Sequence, residues 1–218
     1  MVLGHEAHAD LKQPPGASGF HGSLFNINLG GSTMRIEPLK GWHRYTELMN
    51  AESDPRRAAM LDNMRHHLKY ECLGDPEIFD TMVPNPEYRF YASFDNAVLN
   101  GMDAIKGFYD DIWSSRTSLV ELAIHRCAAA DWGVACDGEW YQQVPGDTLV
   151  GSGKNIDPEA WYLSHAHLSW FFPFEEIDGR MLLGGEICYI DDPGSTLQKL
   201  DPADVLTLEE ARAAWDAL

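Results

Sequence analysis

The constraint that weighs most on this chain is the order of its local patterns: helical signals fall almost entirely before residue 115, and strand signals dominate after it. Ser53-Asp54-Pro55 is a helix start, with Ser53 able to cap and Pro55 tolerated in the first turn. Met60, Leu61, Met64, Leu68 and Cys72 follow helical spacing, and Gly74 is a stop signal. Asp75-Pro76 opens a short second helix through Phe79, Met82 and Val83, ended by Pro84 and Pro86. Tyr88–Phe94 reads as a strand. Asn100-Gly101 turns into a third helix with Met102, Ile105, Phe108, Tyr109 and Ile112 on one face. Strands are expected near 118–128, 132–143, 160–174 and 180–191, with Asp178-Gly179 as a hairpin turn between the last two. Thr207-x-x-Glu210 is a capping box for a helix over Leu208–Leu218. Helices first and an antiparallel meander afterwards predict an α+β fold with helices on one face of a sheet. A strongly curved sheet of this kind makes a cone whose mouth the helices close.

A chain of 218 residues can hold one sizeable domain with extensions. We divide it into an arm over 1–52, a domain over 53–195 and a C-terminal helix and tail over 196–218. The arm reads as irregular, punctuated by Pro14-Pro15-Gly16, Gly30-Gly31 and Gly41. Its apolar residues, among them Phe20, Phe25, Trp42 and Tyr45, suggest packing on the core or on a neighbouring subunit. A formal net charge of −18 repels phosphate backbones and anionic membrane surfaces, which argues against nucleic acid or membrane as partner. No apolar run reaches the length of a membrane span, and no signal-peptide pattern opens the chain. Cys72, Cys127, Cys136 and Cys188 form no C-x-x-C pair and read as reduced thiols, so a cytoplasmic location is the default expectation. Seven Trp, eight Tyr and nine Phe exceed what a core alone requires and are compatible with a pocket for an aromatic ligand.

Several segments resemble a known family when taken in order. Met64 through Met82 looks like an opening helix, a G-D turn and a short second helix. Leu99–Tyr109 is similar to a G-x-x-A-I-x-x-F/Y helix start, and Phe174–Arg180 and Gly185–Asp191 resemble an F-x-D-G-R/K hairpin and a G-E-x-x-Y-x-D closing strand. This arrangement resembles the nuclear-transport-factor-2-like superfamily, in particular its SnoaL-like branch, over roughly residues 55–195. The resemblance implies an NTF2-like cone: a curved mixed or antiparallel sheet wrapped around N-terminal helices and enclosing a hydrophobic pocket. It also implies chemistry without a metal or organic cofactor. Ketosteroid isomerases, dehydratases, polyketide cyclases and non-catalytic binders all share this fold, so it leaves the reaction open. The long arm and the aromatic content make the diarylpropane γ-formaldehyde lyase of lignin catabolism an attractive comparison.

By that resemblance, His67 and Glu71 face the pocket from the first helix. They are i,i+4 neighbours, and a carboxylate beside an imidazole is expected to orient it and raise its pKa towards neutrality. Neighbouring Tyr70 is placed at the cavity or its rim. Phe90 stands where the isomerases carry a catalytic carboxylate, which argues against their proton shuttle; with Tyr88 it would form an aromatic wall. His125, on a strand, and Asp191, on the closing strand, complete the expected catalytic set. Phe108, Trp140, His167, Trp170 and Tyr189 are the further expected substrate contacts. Ser164-His165-Ala166-His167 puts two imidazoles on one strand face, which can seed a zinc site. A third ligand would have to come from Glu186, Asp191 or His125 without a supporting motif, so no metal is expected. Gly151-Ser152-Gly153-Lys154 lacks the spacing of a phosphate-binding loop. The expected function is a cofactor-independent lyase acting by acid–base catalysis on a hydrophobic aromatic small molecule. An isomerase, cyclase or dehydratase and a plain binding module are the alternatives. A homodimer or homotrimer is expected, because an open sheet face needs cover.

Overall fold

The protein is described by a computed structural model over residues 35–92, 96–152 and 155–218. Most of the expected arm, including His5 and His8, lies outside the described residues. Its end does not read as expected: Lys40–Ala51 is a helix, α1. The residue taken as punctuation, Gly41, is what lets α1 pack. A Cβ there would stand 2.6 Å from Leu68 Cδ2 and 3.2 Å from Leu122 Cβ, so a side chain would have to push Leu68 and Leu122 aside. Tyr45 of α1 is fully buried.

Helix α2 spans Pro55–Leu73 and buries Met60, Leu61, Met64, His67, Leu68 and Cys72. Its cap is Asp54 rather than Ser53: the Asp54 carboxylate accepts from the backbone N–H groups of Arg56 and Arg57. Gly74 closes the helix in the left-handed conformation, φ +67°. Pro76–Thr81 is a 3₁₀ helix, shorter than expected, because Met82 already begins strand β1 (Met82–Tyr91). Pro84 and Pro86 therefore sit inside a strand. They are tolerated because the pairing of β1 is interrupted between Met82 and Glu87, where no ladder N–H is needed. Strand β2 (Val98–Asn100) pairs back on β1, and helix α3 (Met102–Ser114) follows, burying Ile105 and Tyr109.

The second half is the expected meander: β3 (Val120–Ala130), β4 (Gly133–Pro145), a one-turn helix α4 (Gly146–Leu149), β5 (Trp161–Ile177) and β6 (Arg180–Ile190). Asp178 and Gly179 join β5 to β6 with φ +52° and +74°, the left-handed pair a two-residue hairpin demands. A short β7 (Thr196–Lys199) pairs with β5. The helix α5 (Leu208–Asp216) carries the complete Thr207–Glu210 capping box and buries Trp215. The sheet runs β2-β1-β6-β5-β4-β3. Only β1 and β6 are parallel, so the sheet is mixed. The curved sheet wraps around α2 and α3, which makes the fold an α+β cone. The core lies between them, built from both helices and the inward positions of every long strand. All four cysteines are free. Among the described residues no helix is long and apolar enough to cross a membrane.

The β1–β6 contact is unusually tight at Gly185. A Cβ there would lie 1.8 Å from the carbonyl oxygen of Glu87, at φ +152°. Gly185→Ala is expected to cost more than about 3 kcal/mol, because backbone would have to move. A urea midpoint within error of the wild type would disprove that packing.

Candidate active site

Strand alternation and the helix repeat together aim a defined set of side chains at the inside of the cone. From β5 the inward residues are Ser164, Ala166, Leu168, Trp170 and Phe172; from β6 they are Glu186, Cys188 and Ile190. Helix α2 contributes Met64, His67, Leu68 and Glu71, and α3 contributes Phe108, Tyr109 and Ile112. These groups enclose a cavity of about 180 Å³. An apolar cavity of about 150 Å³ holds a benzene ring, so this one takes an aryl group. The lining also includes the polar residues Asp111, Ser115, Thr148 and Asp192.

Two carboxylates stand in this apolar space. Burial pushes Glu71 up to about 8, with the charge of Glu186 adding to it. Burial alone pushes Glu186 up to about 7. What surface each retains faces the cavity. Among the described residues neither has a hydrogen-bond or ion-pair partner. The two charges repel in one low-dielectric site, so burial and repulsion both favour a protonated Glu71.

His67 is built differently. Its Nδ1 lies 2.8 Å from Thr81 Oγ1, and the Thr81 hydroxyl is already spent as a donor to Ile78 O at 2.5 Å. Nδ1 must therefore carry the hydrogen, which leaves Nε2 as an acceptor. Tyr109 OH at 3.0 Å and Tyr88 OH at 3.3 Å face that nitrogen, and the two phenols are 2.9 Å apart. Burial pushes the imidazole down to about 3. The expectation that Glu71 would raise it towards neutrality is overturned: no carboxylate touches the ring, and desolvation keeps it uncharged. His67 is a neutral acceptor that holds the Tyr109 hydroxyl at the cavity wall.

Of the other residues singled out from the sequence, Phe90, Phe108, Trp140 and Trp170 line the cavity. Tyr88 stands behind its wall in the His67–Tyr109 network. Five others do not line it either. His125 and His167 point from the opposite face of the sheet, beside Glu139. Tyr189 is half-exposed and stacks on Tyr91 at 4.7 Å, because the inward parity on β6 belongs to Glu186 and Cys188. Asp191 is exposed at the end of that strand, its carboxylate accepting from the Gly194 N–H. Tyr70 lies about 100° round α2 from Glu71 and faces His66 and Glu77. Glu186 and Tyr109 are the functional groups the sequence reading did not place in the site. The signal for Glu186 is there: it shares parity with Cys188 and Ile190, an acid in an otherwise apolar inward set.

No family profile matches the chain, and no curated protein matches it. Solved structures do resemble it. One, assigned to the SnoaL-like polyketide cyclases of Jannaschia sp. CCS1, is 12% identical with a TM-score of 0.47 over 64% of this chain and 90% of its own. A second, assigned likewise in Shewanella putrefaciens CN-32, is 13% identical with a TM-score of 0.46 over 74% and 93%. A third, the epoxide hydrolase/cyclase-like enzyme SalBIII of pyran ring formation in salinomycin, is 10% identical with a TM-score of 0.45 over 63% and 95%. At this distance the cavity, and not the likeness, has to supply the chemistry.

Proposed function

We propose that this protein is a cofactor-independent enzyme that carries out acid–base chemistry on a hydrophobic aromatic small molecule in the cone. The observation that supports this is the pair of unpartnered carboxylates, Glu71 and Glu186, both shifted towards neutrality in an apolar cavity. Free energy has been spent to keep two acids dry, and a protonated and an ionised carboxyl together supply an acid and a base at once. The ionised member takes a proton from carbon, and the protonated member gives one to a departing hydroxyl, which leaves as water. The products are an alkene and a pair whose proton has changed sides. The same pair supports proton transfer without departure, which is isomerisation or ring closure. It also supports retro-aldol-type C–C cleavage: the base removes the proton of a terminal hydroxyl, the C–C bond breaks to release formaldehyde, and its electron pair forms a C=C bond as the protonated member gives its proton to a departing hydroxyl, which leaves as water. Tyr109, whose one hydrogen goes to His67 Nε2, offers its hydroxyl oxygen as an acceptor for a substrate hydroxyl. Phe90, Phe108, Trp140 and Trp170 supply the ring contacts.

A lyase acting on a lignin-type diarylpropane is the specific form we put forward, with a cyclase or dehydratase of hydroxylated polyketides as the second. The test is a panel of aryl-bearing diols, ketones and hydroxylated polyketides, scored by mass spectrometry for loss of water and for formaldehyde release. Product from the wild type, and none from folded Glu71→Gln or Glu186→Gln, supports the assignment. Ligand-induced stabilisation without product would make the protein a binder instead.

A further inference from the structure

The outer face of the sheet carries a second cluster that the cavity chemistry does not use. His125 comes from β3, Glu139 from β4, and His165 and His167 from β5. A bulge in β3 between Ile124 and Arg126 breaks the alternation, so that His125 and Arg126 both turn outward. Glu139 is directly across from His167 in the β4–β5 register. Its Oε1 lies 3.0 Å from His167 Nδ1 and 4.0 Å from His125 Nδ1, and its Oε2 accepts from His165 Nε2 at 2.7 Å. One ligand atom from each of His125, Glu139 and His167 can be chosen so that all lie within 4.8 Å of one another.

The geometry points to a surface binding site for a divalent transition metal such as Zn²⁺, held by His125, Glu139 and His167. Tetrahedral zinc with ligands at about 2.1 Å separates its ligand atoms by about 3.4 Å, and the observed 3.0 and 4.0 Å bracket that value. Two imidazoles and one carboxylate are a donor set zinc accepts, and the fourth position faces solvent, where water completes it. The surroundings fit the same role. When His167 Nδ1 turns to the metal, its hydrogen moves to Nε2, and Asp137 Oδ2 stands 3.7 Å from that nitrogen. Asp137 is itself held by Arg126. A small shift of the ring would let the Asp137 carboxylate accept the Nε2 hydrogen, and His165 fixes the second oxygen of Glu139.

The experiment is a Zn²⁺ titration of the full chain after chelator treatment, read by calorimetry and by metal content after dialysis. Cobalt(II) serves as a visible probe of four-coordinate geometry. The wild type is expected to hold one ion per chain and to give the intense visible band of a tetrahedral cobalt site. His125→Ala, His167→Ala and Glu139→Gln are each expected to weaken binding by on the order of 100-fold, and Asp137→Asn by about 10-fold. All four side chains reach solvent at least in part, and circular dichroism checks that the variants fold. His125→Ala should leave the cavity activity unchanged. Absence of stoichiometric zinc, or equal affinity in the His125→Ala/His167→Ala double variant, would reduce the cluster to a hydrogen-bonded surface network and overturn the assignment.

Discussion

Glu71→Gln and Glu186→Gln should each remove turnover and, at alkaline pH, make the protein more stable. The two effects share one cause. Glutamine keeps the shape of a protonated glutamate but cannot pass its proton on, and positioned acid–base groups contribute about 10²–10⁴-fold to rate. Because the two residues work as one pair, the double variant should be little slower than either single one. For stability, Glu71 binds its proton up to about pH 8 in the folded state, whereas an unfolded glutamate releases it near 4.5. Between those values the native state holds more protons than the unfolded state, so unfolding becomes easier as pH rises across the window. Glu186 acts in the same direction up to about pH 7. The wild type should therefore lose stability between pH 5 and pH 8.5, by about 4 kcal/mol through Glu71 and about 3 kcal/mol through Glu186; each single glutamine variant should lose only the share of the glutamate it retains, and the double variant should lose neither. Urea midpoints at the two pH values measure this directly. Parallel curves for wild type and variants would mean that the carboxylates are not desolvated, and the proposed mechanism would lose its basis.

Removal of His67 should act in the opposite sense on both axes of that experiment. His67→Ala leaves Thr81 and the two phenols without their shared partner and opens a void under α2. A cost of about 3 kcal/mol at pH 7 follows from the unmet hydrogen bonds and the lost packing. The folded imidazole stays neutral down to about pH 3, whereas the unfolded one charges near 6.5. The unfolded state therefore takes up the extra proton as pH falls through that range, and the wild type loses stability there. The variant has nothing to titrate, so the gap between the two proteins should narrow from pH 6.5 towards pH 3. An NMR titration supplies the independent reading. A His67 resonance that shifts with a midpoint near 6.5 would restore the imidazole as a general base and contradict the network described here.

How much of this was legible beforehand depends on the range of the interaction. The helix caps around Gly74 and Thr207, the Asp178-Gly179 turn and the apolar face of α3 are settled within a few residues, and all are visible as patterns. Helix α1 was missed because Gly41 reads as a breaker when taken alone. It makes sense only once Leu68 and Leu122 are seen pressing against it. Prolines 84 and 86 misled for the same reason, since their cost depends on whether a partner strand asks for their N–H. At the site, the i,i+4 placement of His67 and Glu71 on one helix face was correct. Their electrostatics came out otherwise, because pKa values respond to everything within several ångströms and the sequence shows only neighbours along the chain.

The opening pattern, helices first and a meander after, determined by itself that the chain makes an α+β fold with helices on one face of a sheet. Period-two alternation likewise determined that Tyr189 opposes Glu186 and that His165 goes with His167. It could not say which of the two parities is the inside. Only packing decided that, by closing α2 and α3 over the face that carries Trp170, Cys188 and Glu186, which leaves His125 on the outer face. Local hydrogen bonds write themselves into short stretches of sequence. The choice of a buried face is made by long-range burial, and with it comes the desolvation that raises the pKa of both Glu71 and Glu186 towards neutrality.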